Sequence, residues 1–153
     1  MEQRHGHDSD EALSARHNLA AVLYRQGRPP EAEKAFRAAL TARRRTLGDD
    51  HPHTLSARNN LATVLHDRGR FGKAEPLLRA VAAGRQRTLG AHHVETYAAL
   101  HNLAAVLARR GKDREAAELF ARCARGYADT LGEGHPKTRQ ARANKERLRG
   151  QRP

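Results

Sequence analysis

The chain has no tryptophan, one cysteine, three phenylalanines and three tyrosines in 153 residues. With so few aromatics, a core must be assembled from alanine, leucine and valine, and the first two are strong helix formers. A single Cys123 excludes an intrachain disulfide, which points to a reducing compartment. No apolar run approaches the ~20 residues of a membrane span. The N-terminal residues MEQRHGHDSDE carry no apolar segment of a secretory signal. Period-two alternation of β-branched residues is also scarce. These absences predict an all-α protein of the cytoplasm, with no membrane partner.

What is plentiful is arginine, which supplies 24 of the 29 basic residues and most of the +12 net charge. Such a balance suits acidic proteins, nucleic acid or anionic membrane. It is equally the signature of solvated helix faces.

The second abundant feature is repetition. HNLAAVLYRQG at residues 17–27 returns as NNLATVLHDRG at 59–69 and as HNLAAVLARRG at 101–111, a period of 42. Gly27, Gly69 and Gly111 keep that register, as do Leu47-Gly48, Leu89-Gly90 and Leu131-Gly132. So do His51, His93 and His135, and Thr54, Thr96 and Thr138. Asn18, Asn60, Asn102 and Asn144 mark three units and a shorter fourth.

Each unit holds two helical patterns, here termed A and B. In the second unit Pro52 suits the first helical position. Leu55, Ala57, Leu61, Ala62, Val64 and Leu65 then form an apolar stripe at helical spacing. Helix A stops near Gly69. Helix B follows with Ala74, Leu77, Leu78, Val81 and Ala82 on one face. The other units give helices at about 9–26, 30–46, 95–110, 113–131 and 137–149. Ala20, Ala62, Ala104 and Ala32, Ala74, Ala116 allow close approach, and Leu19, Leu61, Leu103, Phe36, Leu78 and Phe120 are expected to fill the matching holes. Cys123 stands where Ala39 and Val81 stand and reads as a buried small hydrophobe.

The order N-L-A-x-x-L-x-x-x-G-x-x-x-x-A resembles the tetratricopeptide repeat. The usual unit is about 34 residues, and this one is about eight longer. The longer form, with T-L-G-x-x-H-P-x-T between units, is similar to the repeats of kinesin light chains and their bacterial relatives. HEAT and armadillo repeats share the period but not the Gly–Ala spacing. Departures from the pattern are Pro29 and Asp113, where an aromatic is usual and only Phe71 conforms, and Val94 in place of the linker proline. The resemblance implies a right-handed α-α superhelix of three hairpins over about 9–50, 51–92 and 93–134, with a capping helix at 137–149. Residues 1–8 and 150–153 are expected to be tails, the first disordered.

Lys145 and Glu146 replace the Leu-Ala of earlier units, giving the last helix a polar outer face suited to a cap. Leu13, Leu19 and Leu23 have no such cover before them, so the first unit is a candidate for self-association or for packing on a preceding domain.

In such an array the A helices line a concave surface. The positions off the core stripe are then the candidate peptide-binding residues: His17, Asn18, Tyr24, Arg25; Asn59, Asn60, His66, Asp67; His101, Asn102, Arg109. Asparagine is a mediocre helix former, so its recurrence in mid-helix calls for a reason. Its amide can donate and accept to the backbone of an extended peptide, or it can orient neighbouring repeats. The resemblance implies the first use. The residues that differ between units would select among ligands. Nucleic acid is a further candidate partner, through arginines of helix B and the turns, among them Arg37, Arg43, Arg44, Arg45 and Arg79, although no stacking aromatics accompany them.

No catalytic set is apparent. His51, His53, His92, His93 and His135 lie beside Asp49, Asp50, Glu95 and Glu133, but they recur once per linker where helix N-caps form. His5 and His7 sit in the expected tail. Phe71-Gly72-Lys73-Ala74 lacks the upstream glycine of a phosphate loop. The expectation is a non-catalytic protein-interaction module without metal or cofactor, or else a structural fragment of a larger signalling protein.

Overall fold

The computed structural model describes residues 9–150; the expected tail at 1–8, with His5 and His7, and residues 151–153 of the expected tail at 150–153 lie outside them, while Gly150 ends the last helix. Among the described residues seven helices follow one another: α1 (Asp10–Arg25), α2 (Pro29–Leu47), α3 (Pro52–Asp67), α4 (Phe71–Leu89), α5 (Val94–Arg109), α6 (Asp113–Leu131) and α7 (Pro136–Gly150). The same residues include no strand. The chain divides into two compact units, Met1–Leu77 and Leu78–Pro153.

Helix ends explain the period. At Gly69 the backbone is left-handed (φ 73°), a conformation that glycine adopts without the penalty of a Cβ. Its N–H donates to the His66 carbonyl, and the next N–H, that of Arg70, donates to the Leu65 carbonyl. This paired closure satisfies carbonyls that α3 would otherwise leave open. Gly27 and Gly111 repeat it. The longer linkers between units are closed by histidine. Nδ1 of His51 accepts the N–H of His53, His93 that of Glu95, and His135 that of Lys137. His51, His93 and His135 therefore cap helix N-termini, as their recurrence predicted, while His53 lies within α3 and His92 meets the Tyr97 hydroxyl. Behind each cap lies a fully buried threonine: Thr96 Oγ1 donates to the Gly90 carbonyl at 2.7 Å and Thr138 Oγ1 to that of Gly132 at 2.8 Å, whereas Thr54 Oγ1 donates to the Arg43 carbonyl of α2 at 3.4 Å.

In the first unit α1 packs on α2 and α2 on α3. Ala20 and Ala32 are wholly buried, with Phe36, Leu40, Leu55, Leu61 and Leu65 filling the space around them. Each such leucine removes from water a side chain worth roughly 1.5–3 kcal/mol. Polar ties run along the edge. Glu33 accepts from Arg68 at 2.6 Å, with Arg70 and Arg37 nearby. Burial pushes its carboxyl up, but the hydrogen bond and charge of Arg68, joined by the other two, outweigh this and hold it below the usual range.

In the second unit α6 packs on both α5 and α7. The core gathers Val81, Ala82, Tyr97, Ala99, Leu100, Cys123, Ala124, Tyr127 and Ala141. Two of the three tyrosines meet edge to face at its centre, Tyr97 and Tyr127, with ring centroids 5.8 Å apart. Tyr97 fits only because α6 carries Gly126 there, where a Cβ would lie 2.1 Å from the ring. Burial pushes the Cys123 thiol up to about 12, and its Sγ contacts the Tyr97 carbonyl, as befits a core residue.

Two expectations are corrected. Leu19 fills no hole: it is 57% exposed, while its period mates Leu61 and Leu103 are buried. Arg43, read as part of an outward basic surface, is buried, and its guanidinium donates to the His53 carbonyl at 3.1 Å. It serves the linker rather than the solvent.

Candidate protein-binding face

Of the eleven candidate residues, His17, Asn18, Tyr24 and Arg25 lie on α1, Asn59, Asn60, His66 and Asp67 on α3, and His101, Asn102 and Arg109 on α5. Asn18 and Asn102 are exposed, and Asn60 and Asn59 are half-buried.

The histidines preceding them behave differently. The His17 ring meets Phe36 edge on (centroids 5.9 Å, 67°), and His101 meets Phe120 in the same way (5.0 Å, 72°). Both are half-buried, and Nδ1 of each is buried without a hydrogen-bond partner. Burial holds both imidazoles below their ordinary value of 6.5, with Arg43 and His53 adding to the effect at His17. They are neutral platforms at physiological pH. His66 is a third edge-on ring, against Phe71 (5.2 Å, 73°).

At the C-terminal ends of α1 and α3, candidate residues expected to supply selectivity meet one another. The Tyr24 hydroxyl donates to the Asp67 carboxylate, and His66 Nδ1 lies 3.4 Å from the same carboxylate. Arg25 and Arg109 are exposed on their own helices.

In the second unit a cleft of about 160 Å³ opens at Asn102. Ala98, His101 and Asn102 line it from α5, Tyr127 from α6, and Lys137 and Gln140 from α7. Lys137 Nζ lies 6.0 Å from the Tyr127 ring centroid, which holds the ammonium over an aromatic face. The cleft offers an amide pair, one cation and an apolar floor. This can fix a polar or anionic group. The sequence reading omitted Tyr127, Lys137 and Gln140. Gln140 was within reach, since it stands 42 residues after Ala98, at the same register of the fourth A helix. Among the described residues no group of three His, Cys, Asp or Glu side chains is placed to hold a metal ion, and no helix is long and apolar enough to cross a membrane.

The tetratricopeptide repeat profile matches residues 10–87 and 54–129. The chain belongs to the tetratricopeptide repeat family. Solved structures agree. Similar to it are the nearly identical TPR-like repeats of a Podosopora anserina protein assigned as a kinesin light chain, at 28% identity and TM-score 0.80, over 89% of this chain and 64% of that one. A point-substituted form of that protein matches at 27% identity and TM-score 0.82, over 93% and 66%. BtubC (BKLC) from P. vanneervenii, at 16% identity and TM-score 0.67 over 92% and 64%, shares the fold. The chain thus spans about two-thirds of the length of these structures. No curated protein matches it. The 42-residue repeat is of the kinesin light chain type, and its all-α hairpins are those of a tetratricopeptide solenoid, a family of non-catalytic protein-interaction scaffolds.

Proposed function

We propose that this chain is a cytoplasmic protein-interaction module that binds a peptide segment along the faces of its A helices, without catalysis. The observation that carries the reading is an exposed asparagine at the same register of α1 and α5. At α5 that amide opens onto a cleft equipped with Lys137, Gln140 and Tyr127. Amides that both donate and accept suit the backbone of an extended ligand of varied sequence. Lys137 adds preference for a carboxylate at one point along it. Asn60 and Asn59 extend the set onto α3, and two registers that vary between repeats, Tyr24 against His66 and Arg25 and Arg109 against Asp67, can discriminate among ligands. The kinesin light chain repeats to which the chain is similar support this assignment.

Nucleic acid is the weaker partner. Several arginines that would meet phosphates are spent on the protein itself. Arg37 pairs with Glu33, Arg44 with Asp49 and Arg79 with Glu115, and Arg43 is buried.

The test is affinity capture with the wild-type chain and with the triple variant Asn18→Ala, Asn60→Ala, Asn102→Ala, followed by identification of the recovered proteins. Loss of specific partners in the variant, at unchanged helical circular dichroism, is the expected result. Equal recovery by the two chains would discard the reading.

A further inference from the structure

A cation is buried in the first unit without a counter-ion. Arg43 of α2 is 6% exposed, and no carboxylate pairs with it among the described residues. Among those residues Nη1 makes the guanidinium's one hydrogen bond, to the His53 carbonyl at 3.1 Å. Nε is enclosed with no partner. A charged group left buried and incompletely bonded is costly, so this one calls for an explanation. The bond itself belongs to the repeat, since Arg85 donates in the same way to the Glu95 carbonyl at 3.3 Å. The company differs. Where the second copy has the acid Glu95, the first has His53.

Register shows what else belongs to the place. The residues that line the cleft at Asn102, moved back by two periods, become Ser14, His17, Asn18, Arg43, His53 and Ser56. Ser14, Asn18 and His53 are exposed, and His17 and Ser56 are half-buried. Each of the six can donate a hydrogen bond, and none is an acid. Nδ1 of His17 is a second enclosed polar atom without a partner. Burial, and then the charges of Arg43 and His53, hold that imidazole below 6.5, so the three side chains lie close enough to repel.

We propose that this donor set around Arg43 is a site for one compact oxyanion of the phosphate class, either free or carried on a protein ligand. The anion supplies the missing counter-charge. The bond to His53 uses Nη1 and leaves the Nε–Nη2 edge, whose two parallel N–H groups suit two oxygens of one anion. By register the Ser14 and Ser56 hydroxyls and the Asn18 amide are placed to complete its shell. A nucleic-acid backbone does not suit an arginine so enclosed; a single tetrahedral group does. The site borders the proposed peptide-binding face through His17 and Asn18, but Arg43 carries it, and binding of free phosphate does not require that reading.

The probe is inorganic phosphate at constant ionic strength, followed through the Arg43 Nε–H resonance of the full chain by heteronuclear NMR. A saturable shift is expected, with none from chloride. His53→Glu alters an exposed side chain to the residue of the next copy and supplies the missing acid, so it should weaken phosphate by about tenfold or more in a chain that stays folded. Ser56→Ala, which installs the residue of the Ala98 copy, should weaken it by about threefold. Lys34→Gln, exposed on α2, should bind as wild type. So should Asn60→Ala with Asn102→Ala, which tests the peptide reading and spares this site. A peptide bearing one phosphoserine separates the sources. Binding about tenfold tighter than phosphate gives the anion to a protein ligand and equal binding gives it to the free ion, and both uphold the site. No saturable shift from either probe overturns the proposal, as does an equal response to chloride, indifference to His53→Glu or loss in Lys34→Gln.

Discussion

The Tyr24 hydroxyl at the end of α1 donates a hydrogen bond to the Asp67 carboxylate at the end of α3. That bond, with some burial, raises the phenol above its ordinary value. Two side chains that differ between repeats thus fasten two successive A helices in the first unit. Tyr24→Phe removes the donor but keeps the ring. Because the pair is exposed, the expected loss is no more than about 1 kcal/mol in urea unfolding. A larger loss would mean that the bond organises the hairpin beyond its own strength.

Gly126 and Tyr97 are matched in size. Gly126→Ala places a methyl group 2.1 Å from the Tyr97 ring. The expected cost is about 1–3 kcal/mol, the range for overpacking a tight core. In the first unit the same register holds Ala42 and Leu13. Adding Tyr97→Leu should therefore recover much of the stability, at the expense of the His92 contact to the Tyr97 hydroxyl at 3.0 Å. A double-mutant cycle in thermal unfolding measures that coupling.

His17 and His101 make the fold sensitive to acid. Burial lowers both below 6.5 in the folded chain, with the charges of Arg43 and His53 contributing at His17. Protonation therefore favours the unfolded chain. Their contribution is complete above pH 6.5 and is lost as pH falls from there through the lowered folded values. Asn59 occupies the equivalent place on α3, so His17→Asn with His101→Asn is a change the repeat already accommodates. The variant should lose less thermal stability than wild type between about pH 7.5 and about pH 5.5.

The linker caps can be read one at a time. His93→Ala leaves the Glu95 N–H without its acceptor at 3.0 Å and should cost about 1 kcal/mol. His93→Asn restores a side-chain acceptor at the cap and should return most of that in the same denaturation assay.

Cys123 should be silent toward thiol reagents in the folded chain, because it is buried and its thiol is raised to about 12. Labelling with a chromogenic disulfide should proceed only as denaturant unfolds the second unit, which makes this residue a built-in reporter of opening.

Much of the fold was legible because each signal is local. Glycine at a left-handed helix end, histidine at an N-cap and leucine at helical spacing act within a few residues of chain. A 42-residue period then repeats them until the register is unmistakable. The site was legible in part. The asparagines could be placed on A-helix faces, but the cleft beside Asn102 also draws on Tyr127 and Lys137 from two other helices. Nothing in their own neighbourhood announces that meeting. Arg43 was misplaced for the same reason: a guanidinium looks like surface until a linker carbonyl is folded onto it.

The amino-acid order by itself determined the repeating hairpin, its turns and the composition of its core, since these follow from propensity, capping and spacing along the chain. Tertiary structure decided which copies of one motif are covered. Leu19 and Leu61 are the same residue in the same phrase, yet the first meets solvent and the second is enclosed. Burial is conferred by whatever packs alongside, and a repeat's own letters do not say whether a neighbour has arrived.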